Sequence, residues 1–428
     1  MRIEDKSCVS RTTALKLLAL AAVASLMLVQ FRTRGHRPDF SDFKVYWLAG
    51  EKAAAHQTVY DVEGHYQYKY SPFVALLWAV PHALPGTRYQ WAVAHYAACG
   101  LGYLALFWLS ARLIRREHAL PLFLVALTVF SIGLRDELKL GQANLWPLLL
   151  VLPAWFAGKA SPAIETAQAG SGRLDLRGLA IGAAWAFAIQ WKLYALVLAP
   201  VWLLRFRLSV WLGALAFTVL SLFGALALAH GVDFAVQENL RWVRSLTASS
   251  EELLISQYNV SALGIFGKWG LRAGVPFGAW AYALWAVLAL AWGAVLVWAE
   301  RDAQRRDAPR LRFWSTSWAW AGIVILNPLV WPYWLLFCVP LFLSYVDEAW
   351  AHARKSSRLA VLGFLAVSAL FALANWQQNM SVVHEGLSFV AVVVLLFDAQ
   401  RRARRRDAEQ LQRVCEVPLS LTLTPRPR

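Results

Sequence analysis

Long apolar runs separated by short polar stretches recur from one end of the chain to the other. A bilayer core of roughly 30 Å needs about 20 apolar residues in a helix, and runs near that length fall at about 13–31, 88–111, 119–134, 143–158, 178–190, 192–204, 208–230, 275–299, 313–327, 333–346, 359–375 and 386–399. Helices satisfy their own backbone groups in lipid, which open sheets cannot do. The period-two alternation of a membrane barrel is absent. The pattern predicts an all-α polytopic membrane protein with about 12 transmembrane helices. Several runs are short and are expected to tilt, break or merge. An even count puts both termini on one side.

Two polar stretches lie on the opposite side, at about 32–86 and 231–274. The first contains "YKYSPFVALLWAVPHALPG", apolar but interrupted by Pro72, Pro81 and Pro85. Proline removes a backbone donor and clashes inside a helix. Residues 72–85 therefore read as a re-entrant or interfacial segment lining a pocket, since irregular backbone at membrane depth is tolerated only where it lines a cavity or is buried in protein. The stretch "GKASPAIETAQAGSGRLDLRG" between two runs is small and polar and reads as a flexible linker.

Composition agrees with this pattern. Of 428 residues, 59% are hydrophobic and 16% charged, with a mean hydropathy of +0.45. The net charge of +16 would suggest nucleic acid in a soluble chain. Here most of the basic residues sit on the side of the termini, including Arg112/Arg115/Arg116, Arg205/Arg207, Arg301 to Arg312, Arg354/Lys355/Arg358 and Arg401 to Arg406. The positive-inside rule makes that side cytoplasmic. The charge then reports orientation and contact with anionic lipid, and no nucleic-acid partner is expected. Residues 1–12 are a cytoplasmic N-terminus. Residues 13–399 form one membrane domain. The basic tail 400–428 reads as a stop-transfer anchor or as a lipid-binding segment. Arg11 to Phe31 exceeds signal-peptide length and lacks an A-x-A exit, so it is expected to be retained as the first helix. Cys8, Cys99, Cys338 and Cys415 form no CxxC pair, and neither a disulfide nor a zinc site is expected. No Walker A loop or GxGxxG between strand and helix is present.

The candidate chemistry gathers on the outer side. Asp42 follows the first run, beside Phe43, Tyr46 and Trp47. A helix over 42–55, with Ser41 as N-cap, puts Asp42, Tyr46 and Ala49/Gly50 on one face. A carboxylate there suits a general base acting on a sugar hydroxyl; it equally suits a solvated helix start. The aromatic residues suit sugar faces and suit an interfacial belt. "RDELKLGQANLWP" supplies Arg135, Asp136, Glu137, Lys139, Gln142 and Asn144, "QWKLYALVLAP" puts Lys192 at an outward turn, and "SQYNVSALGIFGKWG" supplies Gln257, Asn259 and Ser261. Charges near membrane depth are costly and mark sites. A basic residue at the outer surface can hold a lipid-linked phosphate, or can simply snorkel to water.

These segments, in this order, resemble glycosyltransferase family 87, the polyprenol-phosphate-mannose-dependent mannosyltransferases. "SDFKVYWLAGEKAAAHQTVYD" followed by "YKYSPFVALLWAVPHALP" resembles the start of that family through Asp42, Tyr46, Ala49, Gly50, Tyr60, Tyr70 and Pro72. "LKLGQANLWPLLL" resembles its GQxN stretch through Gly141, Gln142 and Asn144. Lys192 matches its lysine turn, and Asn259 and Ser261 match its N-x-S segment. "ILNPLVWPYWLLFCVPL" resembles a late proline-tryptophan segment. It departs by having Asn327-Pro328 and Tyr333 where many members have Ser-Pro and histidines. Donor contacts made by those histidines are absent here or fall to Tyr333 or Asn327. The resemblance covers about residues 38–345.

The resemblance implies a GT-C-like architecture and an inverting transfer of a hexose, with mannose first in line. It implies a polyprenyl-phosphate sugar as donor and a glycolipid or glycan on the extracytoplasmic face of a bacterial inner membrane as acceptor; no cofactor is expected, and because the outer acids are not spaced as a compact metal set and include no D-x-D pair, no metal is expected either. It implies Asp42 as catalytic base, with Tyr46, Tyr60, Tyr70, Arg135, Gln142, Asn144, Lys192, Asn259, Ser261 and Tyr333 in substrate binding. Lys192 and Arg135 are the cations expected at the leaving phosphate. The rival expectation is a transporter or flippase of a lipid-linked sugar. Against it stand the unlike halves of the chain and ionisable groups placed near span ends rather than at midmembrane.

Overall fold

A computed structural model describes residues 40–60, 67–157, 176–205, 208–247, 251–256, 259, 261–306 and 309–353. The expected spans 13–31, 359–375 and 386–399, the linker centred on 158–175 and the basic tail lie outside the described residues. Among those described, all regular elements are helical and no strand occurs. The helices are α1 (Ser41–Ala54), α2 (Pro72–Ala79), α3 (Arg88–Ile114), α4 (Ala119–Leu140), α5 (Leu145–Ala157), α6 (Leu176–Trp191), α7 (Ala199–Arg205), α8 (Leu208–His230), α9 (Val232–Thr247), α10 (Glu251–Leu254), α11 (Ala262–Arg272), α12 (Ala279–Arg305), α13 (Pro309–Leu326) and α14 (Val339–Ala353).

Among the described residues, three helices are long and apolar enough to cross a bilayer: α3, α8 and α12. A fourth candidate is the pair Arg116–Leu127 and Val129–Leu140, bent by 44°. The expected runs at 88–111, 208–230 and 275–299 thus appear as single long helices. The others are shorter than a dozen full spans would require. Runs 178–190 and 192–204 are α6, a 3₁₀ turn at Leu193–Leu198, and α7. The run at 333–346 begins as a 3₁₀ turn over Pro332–Cys338 before α14. A proline within or just after each turn helps set these breaks, because it cannot donate to the preceding turn.

The segment 72–85 is also short. α2 has Pro72 at its first turn and Ser71 as N-cap, with the Ser71 hydroxyl accepting from Val74 N. It passes into a 3₁₀ turn at Val80–Ala83. The second outer stretch is largely helical, carrying α9, α10 and α11.

Packing follows from small residues and large aromatics. α6 and α8 cross at Gly182 and Gly213, where a Cβ would come within 1.9 Å of Val210 O and 2.1 Å of Leu179 O respectively. Without a water-driven hydrophobic effect in lipid, such small residues let helix backbones meet. The main core is filled by Tyr103, Phe107 and Phe130 from α3 and α4 and by Trp202, Trp318, Trp320 and Phe337. A buried charge cluster locks three helices. Arg205 of α7 donates Nε and Nη2 to the two Glu300 carboxylate oxygens of α12 at 2.9 and 2.6 Å, and reaches Thr316, Ser315 and Arg312 O of α13 at 2.6–2.8 Å.

Candidate functional site

α1 begins at Ser41 itself. The cap position is held by Phe40, whose backbone is left-handed (φ 50), and no side chain caps the helix there. Ser41 is therefore not the N-cap expected from sequence. Phe40 is held instead from outside the helix: its N–H donates to Lys139 O at 3.1 Å and its ring meets Tyr89 and Tyr96 edge-on. This anchors the start of α1 against the end of α4.

Phe43, Tyr46, Ala49, Gly50 and Ala53 form the buried face of α1, at the i, i+3, i+4 and i+7 spacing of one helical side. Gly50 is required by contact: a Cβ there would sit 2.1 Å from Trp78 O of α2. The resulting approach stacks the Tyr46 ring on Trp78, with centroids 5.4 Å apart and planes within 12°. Asp42 lies one turn before Tyr46.

α4 ends at Gly141, which adopts φ 70, the left-handed C-cap that glycine supplies at least cost. A Cβ there would also lie 2.8 Å from Phe43 Cβ. The turn delivers the next residues into the site. Gln142 donates its side-chain amide to the Asp42 carboxylate. Its carbonyl oxygen faces the Tyr46 hydroxyl at 3.5 Å, the long limit of a hydrogen bond. Tyr46 and Tyr70 share a hydroxyl contact of 2.9 Å, and Lys192 Nζ donates to Tyr70 Oη at 2.9 Å.

These contacts form one chain: Lys192, Tyr70, Tyr46, Gln142, Asp42. An ammonium can only donate and an ionised carboxylate can only accept. The protons therefore all point the same way, from the cation toward the anion. Bonds aligned in this way polarise one another. Burial, followed by the neighbouring Tyr70 and Asp42, pushes the Tyr46 phenol well above its ordinary value, so it stays a donor. Lys192 also lies over the Tyr70 ring at 4.6 Å and over Trp334 at 5.8 Å, distances at which a cation is attracted by a ring face.

Local structure explains why Lys192 is there. α6 stops at Trp191, and Lys192 is extended (φ −149, ψ 112) before the 3₁₀ turn. Two residues before Lys192, Gln190 receives Ser71 N at 3.0 Å on its backbone oxygen, and its side chain donates to Ser221 at 2.7 Å. This pins the Tyr68–Ser71 strap to the end of α6. Tyr60 donates to Tyr70 O at 2.6 Å, and Tyr68 to Ser71 O at 3.2 Å. Burial raises both phenols well above the ordinary tyrosine value, so both keep their protons.

A second cluster lies behind the chain. Glu137, fully buried on α4, accepts from Tyr103 Oη at 2.9 Å and from Asn144 N and Nδ2 at 3.1 and 2.8 Å. Tyr194 donates to Asn144 Oδ1 at 3.3 Å and packs against Trp334 at 5.2 Å. Asn144 is therefore tied to a carboxylate that sequence reading quoted but gave no role. Glu137, Tyr103, Trp78, Tyr194 and Trp334 join the site only in three dimensions. The one sequence signal for Glu137 is an acid one helical turn before a glycine cap, followed three residues later by an asparagine.

The remaining expected residues are placed differently. Arg135 Nε and Nη2 lie 2.8 and 2.6 Å from Asp136 Oδ1. Asn259 donates to Leu254 O and Pro328 O, both at 2.8 Å, and accepts from Ser261 N and Val330 N at 3.1 and 2.9 Å. Ser261 donates to Pro328 O at 2.8 Å and caps α11 through Gly264 N at 3.0 Å. These two residues fold the turn after α13 that leads to Trp331 and Trp334. Asn327 caps the same turn through Leu329 N at 3.2 Å. The backbone of Tyr333 lies in the Pro332–Cys338 turn, and its side chain is outside the described residues. Cys99 and Cys338 are free and buried. Among the described residues no group of three or more His, Cys, Asp or Glu side chains could hold a metal.

The sequence model of glycosyltransferase family 87 matches residues 68–319, more than half of the chain. The chain belongs to glycosyltransferase family 87. The protein is accordingly a glycosyltransferase, and its long apolar helices make it a membrane one. No curated protein and no solved structure matches it. Tyr70, Gln142, Asn144, Lys192, Asn259 and Ser261 fall inside the family match; Asp42, Tyr46 and Tyr60 precede it, and Tyr333 follows it. The geometry joins Asp42 and Tyr46 to the matched region through Gln142 and Tyr70.

Proposed function

We propose that this family 87 glycosyltransferase moves a hexose, mannose first in line, from a polyprenyl-phosphate carrier to a hydroxyl of a glycolipid or glycan on the extracytoplasmic face of a bacterial inner membrane, with both termini cytoplasmic. The reading is supported above all by the hydrogen-bonded chain that joins Lys192 to Asp42. It sets a proton acceptor and a cation at the two ends of one rigid array, as a displacement at a sugar phosphate requires.

In this mechanism Asp42 accepts the proton of the acceptor hydroxyl as its oxygen attacks the anomeric carbon. A carboxylate has acceptor capacity beyond the Gln142 amide. The bond from the anomeric carbon to the phosphate oxygen breaks on the opposite face, so the anomeric centre inverts, as with two-carboxylate inverting hydrolysis. The polyprenyl phosphate departs with the bonding pair, and the Lys192 ammonium stabilises its charge. Tyr70 and Tyr46 hold the two ends at a set separation, so little reorganisation is needed as charge develops. No metal or cofactor takes part in this scheme.

The test is transfer in native membranes and in nanodiscs, using labelled polyprenyl-phosphate mannose with nucleotide sugars as controls. The expected result is labelled product with inverted configuration from the lipid donor alone. Uptake of the label into vesicles without transfer would replace this reading with a lipid-sugar flippase.

A further inference from the structure

α9 has three faces. Ala235, Glu238, Asn239 and Trp242 are buried against the protein. Asp233, Gln237 and Arg244 are exposed and polar, with Arg241 beside them paired to Glu238. Between these two faces runs an apolar stripe, Val232, Val236, Leu240 and Val243, whose members are 42–67% exposed. At 3.6 residues per turn the stripe covers about 80° of the helix. The helix is thus apolar toward something other than the protein, next to a side that is polar.

The stripe continues a larger surface. α8 exposes Leu212, Leu215, Val219 and Leu228, and is the most lipid-like of the spanning helices by hydropathy. Only Gly231, turned at φ 91, separates the end of α8 from Val232. A span that faces lipid therefore runs directly into a helix with an apolar stripe flanked by charge. That three-way division is the pattern of a helix lying in a membrane interface, with its polar side toward water.

We propose that α9 is an interfacial helix whose Val232/Val236/Leu240/Val243 stripe is buried in the lipid leaflet next to the candidate site. Its buried face explains what this accomplishes. Glu238 accepts Val59 N at 3.2 Å, and Trp242 Nε1 donates to Lys69 O at 3.2 Å. Val59 and Lys69 immediately precede Tyr60 and Tyr70 in the chain, and Tyr70 is the middle link between Lys192 and Tyr46. Asn239 ties the helix back to α8 through Leu222 O at 2.7 Å. The helix so fixes the depth of the tyrosine strap relative to the leaflet from which a lipid-borne substrate must approach. The proposal depends on the chain being membrane-embedded and not on which sugar or carrier is used.

Nitroxide labels on variants of the full chain with one introduced cysteine test it in nanodiscs, with Cys8 and Cys415 replaced by serine and the buried Cys99 and Cys338 retained. Val236→Cys, Leu240→Cys and Val243→Cys report the stripe; Gln237→Cys and Arg244→Cys report the polar side. All five positions are exposed, so labelling should leave the fold intact, and transfer activity of each labelled variant checks this. The expected result is a several-fold lower collision rate with a water-soluble nickel chelate, and a higher rate with oxygen, at 236, 240 and 243 than at 237 and 244. Equal nickel collision at both sets would place the stripe in water and overturn the proposal. Shielding of the stripe from both quenchers would overturn it in favour of a protein covering, by a second copy or another chain.

Discussion

Replacing Asp42 by asparagine separates a catalytic role from a binding one. Asparagine matches the size of aspartate and keeps an oxygen that can accept the Gln142 amide, so the contact between α1 and the turn after α4 survives. What is lost there is the charge on the acceptor. Hydrogen bonds to charged groups contribute about 1.5–3 kcal/mol and neutral ones about 1. The variant should therefore lose roughly 1 kcal/mol in that link, a factor of about five in any equilibrium it governs. Tyr46 remains packed on Trp78, and a loss of that size moves a melting midpoint by about 2–4 °C. General base catalysis is larger, about 10²–10⁴-fold, or roughly 3–5 kcal/mol of barrier. Asp42→Asn should accordingly insert and melt almost as wild type while single-turnover transfer falls by at least about 10²-fold at saturating donor and acceptor. The assay is a rapid-quench turnover of labelled polyprenyl-phosphate sugar by purified protein in nanodiscs. A fall of only about fivefold, the size of the lost hydrogen bond, would refute the base assignment. Glu51 and Asp61 would then be the next residues to replace.

Lys192→Met should raise the apparent donor KM and lower kcat without changing the acceptor KM, and Lys192→Arg should fall between it and wild type, because arginine keeps the charge but changes its shape and reach; wild-type donor kinetics in the methionine variant would move the phosphate contact to Arg135 or Lys139. With a lysine supplying the positive charge, transfer should survive EDTA, and a complete loss restored by Mg²⁺ or Mn²⁺ would show that an ion does this work. Gly50→Ala should destabilise the outer site by about 1–3 kcal/mol, since its Cβ meets Trp78 O, a backbone atom with little room to move; the readout is earlier loss of donor binding than of bulk helicity on heating. Glu300→Leu leaves Arg205 buried without its carboxylate and should cost about 3–5 kcal/mol, seen as a lower detergent melting temperature, while the double variant Arg205→Met/Glu300→Leu should recover much of that loss.

The helices were legible in the sequence because lipid leaves the backbone few alternatives. An apolar run must satisfy its own N–H and C=O groups, and local pattern alone then decides between helix and strand. The long helices at Arg88–Ile114, Leu208–His230 and Ala279–Arg305, the interruption at Lys192 and the broken segment beginning at Pro72 all follow from composition within a window of about 20 residues. The number of spans did not follow so simply. Runs near the minimum length end at proline and 3₁₀ turns once their neighbours are in place, as at Pro332–Cys338. The site was legible as a set of residue types and not as an arrangement. Asp42 and Gln142 are 100 residues apart, and Tyr70 and Lys192 are 122 apart. No periodicity within a segment encodes which polar tips will meet across helices. Asn259 and Ser261 look like ligand-binding residues in one dimension and bond to backbone groups of their own turn and the Pro328–Val330 segment in three. Glu137 shows the reverse: one acid among several in a charged loop becomes a fully buried carboxylate holding Asn144 and Tyr103. Sequence settles where a backbone can be helical because that depends on local hydrogen bonding and solvent. Partner choice depends on the distances between helices, and close contacts such as Gly50 on Trp78 and Gly141 on Phe43 set those distances only when the chain is packed.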